Sequence, residues 1–158
     1  MKALFVTLLA TVISVGALAQ GQAAGGPASG RGSDRDSLIG AWHLVSMQEP
    51  GADGKLRTVT DRKGALIYTR DGHMSVQIMY PASESAVTND YVRNGYEASF
   101  GSYEVNEAAH TVTHDVEGSI TSGLVGKHLT RVYRISGRRL MIHSVHPEEH
   151  WEVTWEHD

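Results

Sequence analysis

Residues 64–81, GALIYTRDGHMSVQIMYP, have the pattern of two β-strands joined by a tight turn. Residues 65–69 and 73–80 are mostly apolar or bulky, and Arg70, Asp71 and Gly72 lie between them. An Asp-Gly pair supplies the positive φ angles that a two-residue hairpin loop requires. Pro81 stops the second strand, because proline lacks the N–H that a sheet ladder needs. The segment therefore predicts a β-hairpin.

The chain beyond residue 38 shows the same alternation of apolar and polar residues. Further strands are predicted at residues 39–47, 100–105, 111–118, 128–135, 139–144 and 150–157. Short connections at residues 106–109 and 136–137 favour antiparallel pairing of successive strands. Only residues 83–98 change to helical spacing, which indicates one short helix. We therefore predict an all-β fold, an antiparallel up-and-down β-barrel with about eight strands and one short helix.

The second strand of the hairpin carries apolar or bulky side chains on both faces. One row contains Met74, Val76, Ile78 and Tyr80, and the other contains Ser75, Gln77 and Met79. In a barrel, one row lines the lumen and the other faces outward, and a single sequence does not fix which. If the Ser75 row faces inward, the lumen is mixed and suits a ligand. If the Met74 row faces inward, the interior is a plain core.

The first 19 residues have the features of a secretory signal peptide. Met1 and Lys2 form a positive start, residues 3–18 are almost continuously apolar, and residues 17–19 form an A-x-A cleavage site. Residues 20–37 are rich in Gly, Ala and Ser, which predicts a flexible leader. The folded domain should therefore span residues 38–158, and the protein should be secreted or periplasmic.

Composition limits the classes of chemistry and partner. The chain has 158 residues, of which 41% are hydrophobic, as expected for one globular domain. A formal net charge of −4 does not favour nucleic acid. The absence of cysteine excludes disulfides, thiol chemistry and a lipid-modified cysteine after the signal. We therefore expect no nucleic-acid partner and no stable membrane insertion after signal cleavage.

Four separated motifs resemble the bacterial lipocalin-like domain family. They are GAWHLVS at 40–46, GALIYTRDGHMSVQIM at 64–79, GSYEVNEAAHTVTHDVEGS at 101–119 and GKHLTRVYRISGRRLMI at 126–142. The resemblance implies a small lipocalin-like β-barrel and implies less about activity. It also implies a structural role for Trp42, because a tryptophan near the start of the first strand plugs the closed end of such barrels. The histidine-rich end, HSVHPEEHWEVTWEHD, departs from the family's usual plan.

Aromatic side chains in the predicted strands are candidates for a pocket wall. Tyr and Trp combine an apolar body with one hydrogen-bonding tip. Together with two adaptable side chains, the candidate ligand-binding residues are Tyr68, Met74, Gln77, Tyr80, Tyr96, Tyr103 and Trp151. For any one aromatic, ordinary core packing is the simpler interpretation.

Histidine is the next place to look for chemistry, because it titrates near neutral pH. His114 shares an apolar row with Val112 and Val116, which is typical of a hydrogen-bonded core or pocket-rim histidine. The segment HDVEGS matches the family motif, and the resemblance makes His114 and Glu117 the candidate catalytic residues.

A second histidine cluster lies near the end of the chain. His143, His146 and His150 are residue types that bind zinc. Their spacing matches no helical zinc motif, and Pro147 indicates a turn. We therefore predict no metal site and no cofactor.

Two hypotheses about function remain open. The first is a secreted module that binds a small apolar or amphipathic molecule in the barrel lumen. The second is an isomerase, cyclase or hydrolase on the same scaffold, with His114 as general acid or base. A catalytic His114 should open into a cavity with a second polar group in reach, whereas a structural one should be enclosed and bonded to backbone.

Overall fold

A computed structural model describes residues 32–51 and 53–158. The predicted signal peptide and most of the predicted leader lie outside the described residues. The described chain begins with a short helix, α1 (Asp34–Leu38), which covers the last residues of the predicted leader. The Ser33 side chain caps this helix by accepting a hydrogen bond from the Asp36 backbone N–H.

Nine antiparallel strands follow the helix. They are β1 (Gly40–Pro50), β2 (Leu56–Val59), β3 (Lys63–Tyr68), β4 (His73–Met79), β5 (Tyr96–Asn106), β6 (Thr111–Ser119), β7 (His128–Ser136), β8 (Arg139–Ser144) and β9 (Glu152–His157). From β3 to β9 each strand pairs with the next, and β1 pairs with both β3 and β9, which closes an eight-stranded barrel. The all-β up-and-down barrel is confirmed.

The ninth strand, β2, is an addition that the alternation pattern did not predict. It pairs with the second half of β1, from Met47 to Pro50, whereas β3 pairs with the first half, from Gly40 to His43. The two short strands therefore share one edge of β1.

The predicted hairpin is present, but its loop is longer than two residues. Strands β3 and β4 pair from Lys63↔Met79 to Tyr68↔Met74, and the Thr69 N–H donates to the carbonyl of His73. Gly72 has a φ of 92°, whereas Asp71 is not in the left-handed region. The turn therefore needs one glycine and not two residues with positive φ.

The short helix is not where the sequence predicts it. Residues 83–98 contain the end of a 3₁₀ turn, Ala82–Glu84, then an irregular loop and the start of β5. The Asn89 carboxamide accepts hydrogen bonds from the backbone N–H groups of Tyr91 and Val92, and the Thr88 hydroxyl accepts one from Asn94. These side chains offer the backbone an alternative to helical bonding.

Helix α1 lies at the end of the barrel where β1 begins. Trp42 is 1% exposed there, and its indole N–H donates to the carbonyl of Leu38 at 2.9 Å. The Tyr133 hydroxyl donates to the Asp34 carboxylate at 2.9 Å. This end is closed by packed side chains, and Trp42 occupies the structural position that the sequence predicts.

The burial of the β4 side chains shows which face of this strand lines the barrel interior. Met74, Val76 and Ile78 are buried in the barrel core, whereas Gln77 and Met79 are exposed. The Met74 row therefore faces inward. The interior is nevertheless not the plain core expected for that register, because a cavity remains at the opposite end of the barrel from α1.

Candidate functional site

A cavity of about 200 Å³ lies in the half of the barrel away from α1. Its apolar and aromatic wall consists of Met47, Leu66, Val76, Ile78, Tyr80, Tyr91, Val92, Leu124, Leu129, Ile142, Trp151, Val153 and Trp155. Its polar lining consists of Gln48, Glu49, Asn89, Glu97, Ser99, His114 and Arg131. A mostly apolar wall with a few polar groups is typical of a small-molecule site.

His114 on β6 and Tyr68 on β3 form a hydrogen-bonded pair inside the barrel. The Tyr68 hydroxyl lies 2.6 Å from Nε2 of His114, and both side chains are buried. Nδ1 of His114 makes no hydrogen bond to the described residues, yet it is not among their fully buried unpaired atoms. Because His114 lines the cavity, Nδ1 is open to a bound molecule.

Both members of this pair are uncharged at neutral pH. Burial lowers the pKa of His114 well below its ordinary value, and the positive charge of Arg131 acts in the same direction. Burial also raises the pKa of the Tyr68 hydroxyl, against a smaller opposite effect of Arg131. The pair therefore offers hydrogen bonds and not charge to the cavity.

Glu97 on β5 is the acidic group with the most perturbed ionisation in the cavity wall. Burial raises the pKa of its carboxyl to about 7, although Arg131 and Arg62 act to lower it. Its carboxyl makes no hydrogen bond to the described residues and is not sealed from the cavity. Near neutral pH, Glu97 can therefore accept a hydrogen bond as a carboxylate or donate one as an acid.

Arg131 on β7 brings a permanent positive charge to the same wall. Its Nη1 donates to the backbone carbonyl of Leu129 at 2.9 Å, and its guanidinium carbon lies 5.9 Å from the Trp151 ring centre. Among the described residues, no Asp or Glu forms an ion pair with it.

A second arginine, Arg62, anchors the edge of the cavity. It is 5% exposed and donates to both oxygens of Glu49, at 2.6 and 2.8 Å, and to Glu84 at 2.9 Å. Its guanidinium also stacks 3.8 Å from the Tyr80 ring centre. These contacts tie β1 to the loop between β4 and β5, which contributes Asn89, Tyr91 and Val92 to the cavity.

The sequence matches the lipocalin-like domain family over residues 39–157. The chain belongs to this family. The comparison with curated proteins found no match. The part of the chain that the structure describes contains no helix with the length and apolar character needed to cross a bilayer.

Several solved structures are similar in fold to this lipocalin-like protein. A lipocalin-like protein from Bacteroides uniformis ATCC 8492 is 15% identical, with 77% of this chain and 98% of that chain covered and a TM-score of 0.47. A protein from Bacteroides eggerthii DSM 20697, described as uncharacterized, is 15% identical, with 77% and 99% covered and a TM-score of 0.46. A mutant of the fluorescent protein UnaG is 11% identical, with 77% and 96% covered and a TM-score of 0.39.

Three of the predicted site residues lie in the cavity wall of this lipocalin-like barrel. They are His114, Tyr80 and Trp151. Three more are inside the barrel but not in the cavity wall, namely Tyr68, Met74 and Tyr103. Tyr68 reaches the site through its bond to His114, whereas the Tyr103 hydroxyl donates to the carbonyl of Thr69 at the closed end.

Three predicted site residues are on the outside of the barrel, so the ligand-binding assignment of Gln77 and Tyr96 and the catalytic assignment of Glu117 are corrected. Gln77 is exposed because it alternates with the inward-facing Val76 and Ile78, and it donates to the Ser75 hydroxyl. Tyr96 is 50% exposed at the start of β5. Glu117 is exposed beside a β-bulge and cannot act as the partner of His114.

The histidines near the chain end, His143, His146 and His150, do not form a common metal site. His143 bonds through Nδ1 to the carbonyl of Ser144, and His146 pairs with Glu148 at 3.8 Å. Within residues 32–51 and 53–158, no group of three or more His, Asp or Glu side chains has a geometry that could hold a metal ion.

The sequence interpretation missed Glu97 and Arg131 as cavity residues. Arg131 carried a readable signal, because it shares an alternating row with Leu129 and Tyr133 and is the charged member of that apolar row. Glu97 was not recognised because residues 83–98 were assigned to a helix. Trp155 is 2% exposed and belongs to an alternating row with Val153 in β9.

Proposed function

We propose that this lipocalin-like protein binds a small, mainly apolar molecule in its barrel cavity, and that it does so after export as a secreted or periplasmic protein. The single observation that carries the proposal is the cavity itself, because its wall is mostly apolar and aromatic while a few polar groups open into it. Polar groups so placed orient an otherwise apolar guest.

The size of the cavity limits the ligand. An apolar cavity of about 150 Å³ is large enough to take up benzene. A cavity of about 200 Å³ therefore suits a molecule built around one aromatic ring or a short branched chain. The loop between β4 and β5, which Arg62 holds through Glu84, borders the cavity.

For the His114–Tyr68 pair, ionisation favours ligand binding over catalysis. His114 does open into the cavity with the Tyr68 hydroxyl in reach, which is the geometry that a general base needs. A general acid or base works best when its pKa lies near the operating pH. Burial moves the pKa of His114 down and that of Tyr68 up, away from neutrality in both cases. The pair is better suited to hydrogen bonding than to proton transfer.

The proposal is tested by native mass spectrometry of the protein purified from its own host, before and after extraction with organic solvent. A bound organic species that extraction removes supports the proposal, and its mass restricts its chemical class. The mass of the protein itself reports whether residues 1–19 have been removed. A protein that arrives empty and takes up no neutral aromatic such as toluene contradicts the binding function.

A further inference from the structure

Arg131 is a cation in the wall of a mostly apolar cavity. It lies on β7, where Leu129 and Tyr133 share its inward row, and its one described hydrogen bond is to the Leu129 carbonyl. Arg62 provides the contrast within the same barrel, since two carboxylates and an aromatic ring surround its guanidinium. Arg131 has no such acid partner among the described residues.

A charged group in apolar surroundings is unfavourable unless an opposite charge pairs with it. Glu97 lines the same cavity but does not come within ion-pair distance of Arg131. Arg131 is partly buried, and only its Nη1 has a hydrogen-bond partner among the described residues, so the other guanidinium donors remain available to a ligand. Its planar set of N–H groups matches the two oxygens of a carboxylate, which it binds in a bidentate manner.

The surroundings of Arg131 fit the rest of such a ligand. Val76, Ile142 and Trp155 give an apolar surface for the body of the molecule. Nδ1 of His114 and the carboxyl of Glu97 open into the same space. When protonated, each of these groups donates a hydrogen bond that can complete the coordination of a carboxylate.

Building on the function proposed above, we infer that the ligand is a small carboxylic acid, bound as its carboxylate on Arg131 with its apolar body among Val76, Ile142 and Trp155.

Three probes of almost equal shape and different charge test the inference, namely benzoate, benzamide and benzamidine. Their affinities for the purified protein are measured by isothermal titration calorimetry at pH 6. Charge-assisted hydrogen bonds to a guanidinium make benzoate the tightest of the three, by about 10- to 100-fold over benzamide. Benzamidine, a cation facing Arg131, binds most weakly.

Variants then assign the preference to one side chain. Arg131→Gln abolishes the preference, so that benzoate binds no more tightly than benzamide, whereas Arg131→Lys keeps part of the preference. Arg134→Gln is the matched control, because Arg134 lies on the same strand but is exposed on the outside of the barrel. This control removes the same charge and retains the benzoate preference.

The outcomes separate this inference from the binding function on which it rests. Equal affinities for benzoate and benzamide in the wild type overturn the inference and leave the apolar binding site intact. A preference for benzamidine overturns it in favour of a cationic ligand held by Glu97. If none of the three probes binds and toluene does not bind either, both the inference and the binding function fail. The wild-type comparison stands even if Arg131→Gln does not fold.

Discussion

The Tyr68 hydroxyl lies 2.6 Å from Nε2 of His114, and this pair forms a fully buried polar contact beside the cavity. The two residues come from β3 and β6, which are not neighbours in the barrel. A hydrogen bond between them therefore crosses the lumen and fixes the side of His114 that remains open to a ligand. The bond can be removed with little change in the volume of the core.

Tyr68→Phe should destabilise the protein by about 1–2 kcal/mol, because it leaves the buried Nε2 of His114 without a partner. The phenyl ring keeps its packing against Tyr103, whose ring centre is 4.7 Å away. Urea unfolding measures the difference. Tyr96→Phe is the matched control on the outside of the barrel and should change stability by less than about 0.5 kcal/mol. Equal effects of the two variants would contradict the role assigned to the pair.

His114→Gln should reduce the loss of stability on acidification. Burial, followed by Arg131, lowers the pKa of His114 in the folded protein below its ordinary value of 6.5. Below pH 6.5 this histidine therefore binds a proton in the unfolded chain but not in the folded protein. The free energy of unfolding of the wild type then falls by up to about 1.4 kcal/mol per pH unit through this group. Glutamine retains a partner for the Tyr68 hydroxyl.

The measurement for His114 is the difference in unfolding free energy between wild type and variant from pH 7 to pH 5. The exposed His73→Gln serves as control. A difference that stays constant with pH would show that His114 is protonated alike in both states.

Glu97→Gln should act in the opposite direction. Burial raises the pKa of Glu97 to about 7 from an ordinary value of 4.5, although Arg131 and Arg62 oppose this shift. The folded protein therefore holds the proton more tightly than the unfolded chain, and the wild type loses stability as the pH rises from 4.5 through 7. Glutamine removes this loss.

The free energy of unfolding of Glu97→Gln relative to wild type should thus increase by about 1–3 kcal/mol between pH 4.5 and pH 8. Water in the cavity screens the charge and gives a value in the lower part of this range. Chemical unfolding at a series of pH values measures it, with the exposed Glu104→Gln on the same strand as control. Below pH 6.5, Glu97 and His114 change the stability in opposite directions as the pH varies. The pH profile of wild-type stability alone therefore does not separate their effects. No change in relative stability would mean that the carboxyl is solvated like an exposed one.

Ser99→Phe should block the cavity and leave the fold intact. Ser99 is a small residue of the cavity wall, so a phenyl ring at this position occupies the space of the ligand. We expect the affinity for toluene to fall at least about tenfold, as for the loss of one good apolar contact surface. Ser75→Phe on the outer face of the neighbouring strand is the control and should bind toluene as wild type does. Undiminished binding to Ser99→Phe would place the ligand elsewhere.

The architecture was largely predictable because strand alternation and turn residues report local structure. The register of β4 was not, since both of its faces carry large side chains and only the closed barrel shows that Gln77 faces solvent. A bulge at Val45 reverses the facing of β1 and turns Met47 toward the cavity, which a strict alternation from Trp42 does not predict.

The candidate site was predictable only in part. His114 stood out by its position on an apolar row, and Tyr80 and Trp151 by their aromatic character. Glu97 could not be recognised, because the apparent helical spacing of the segment before it is overridden by hydrogen bonds of the Asn89 side chain. The pairing of His114 with Tyr68 depends on closure of the barrel, and no local pattern reports a contact across a lumen.

The most direct test of the central claim is a ¹H–¹⁵N NMR titration of the purified protein with toluene, observed at the tryptophan indole N–H signals. The sequence contains three tryptophans. Trp151 and Trp155 line the cavity, whereas Trp42 is buried at the closed end. We predict saturable shifts of the Trp151 and Trp155 signals with Trp42 unmoved. Indole signals that do not shift up to the solubility limit of toluene, or that shift alike for all three residues, would contradict a ligand site in the barrel cavity.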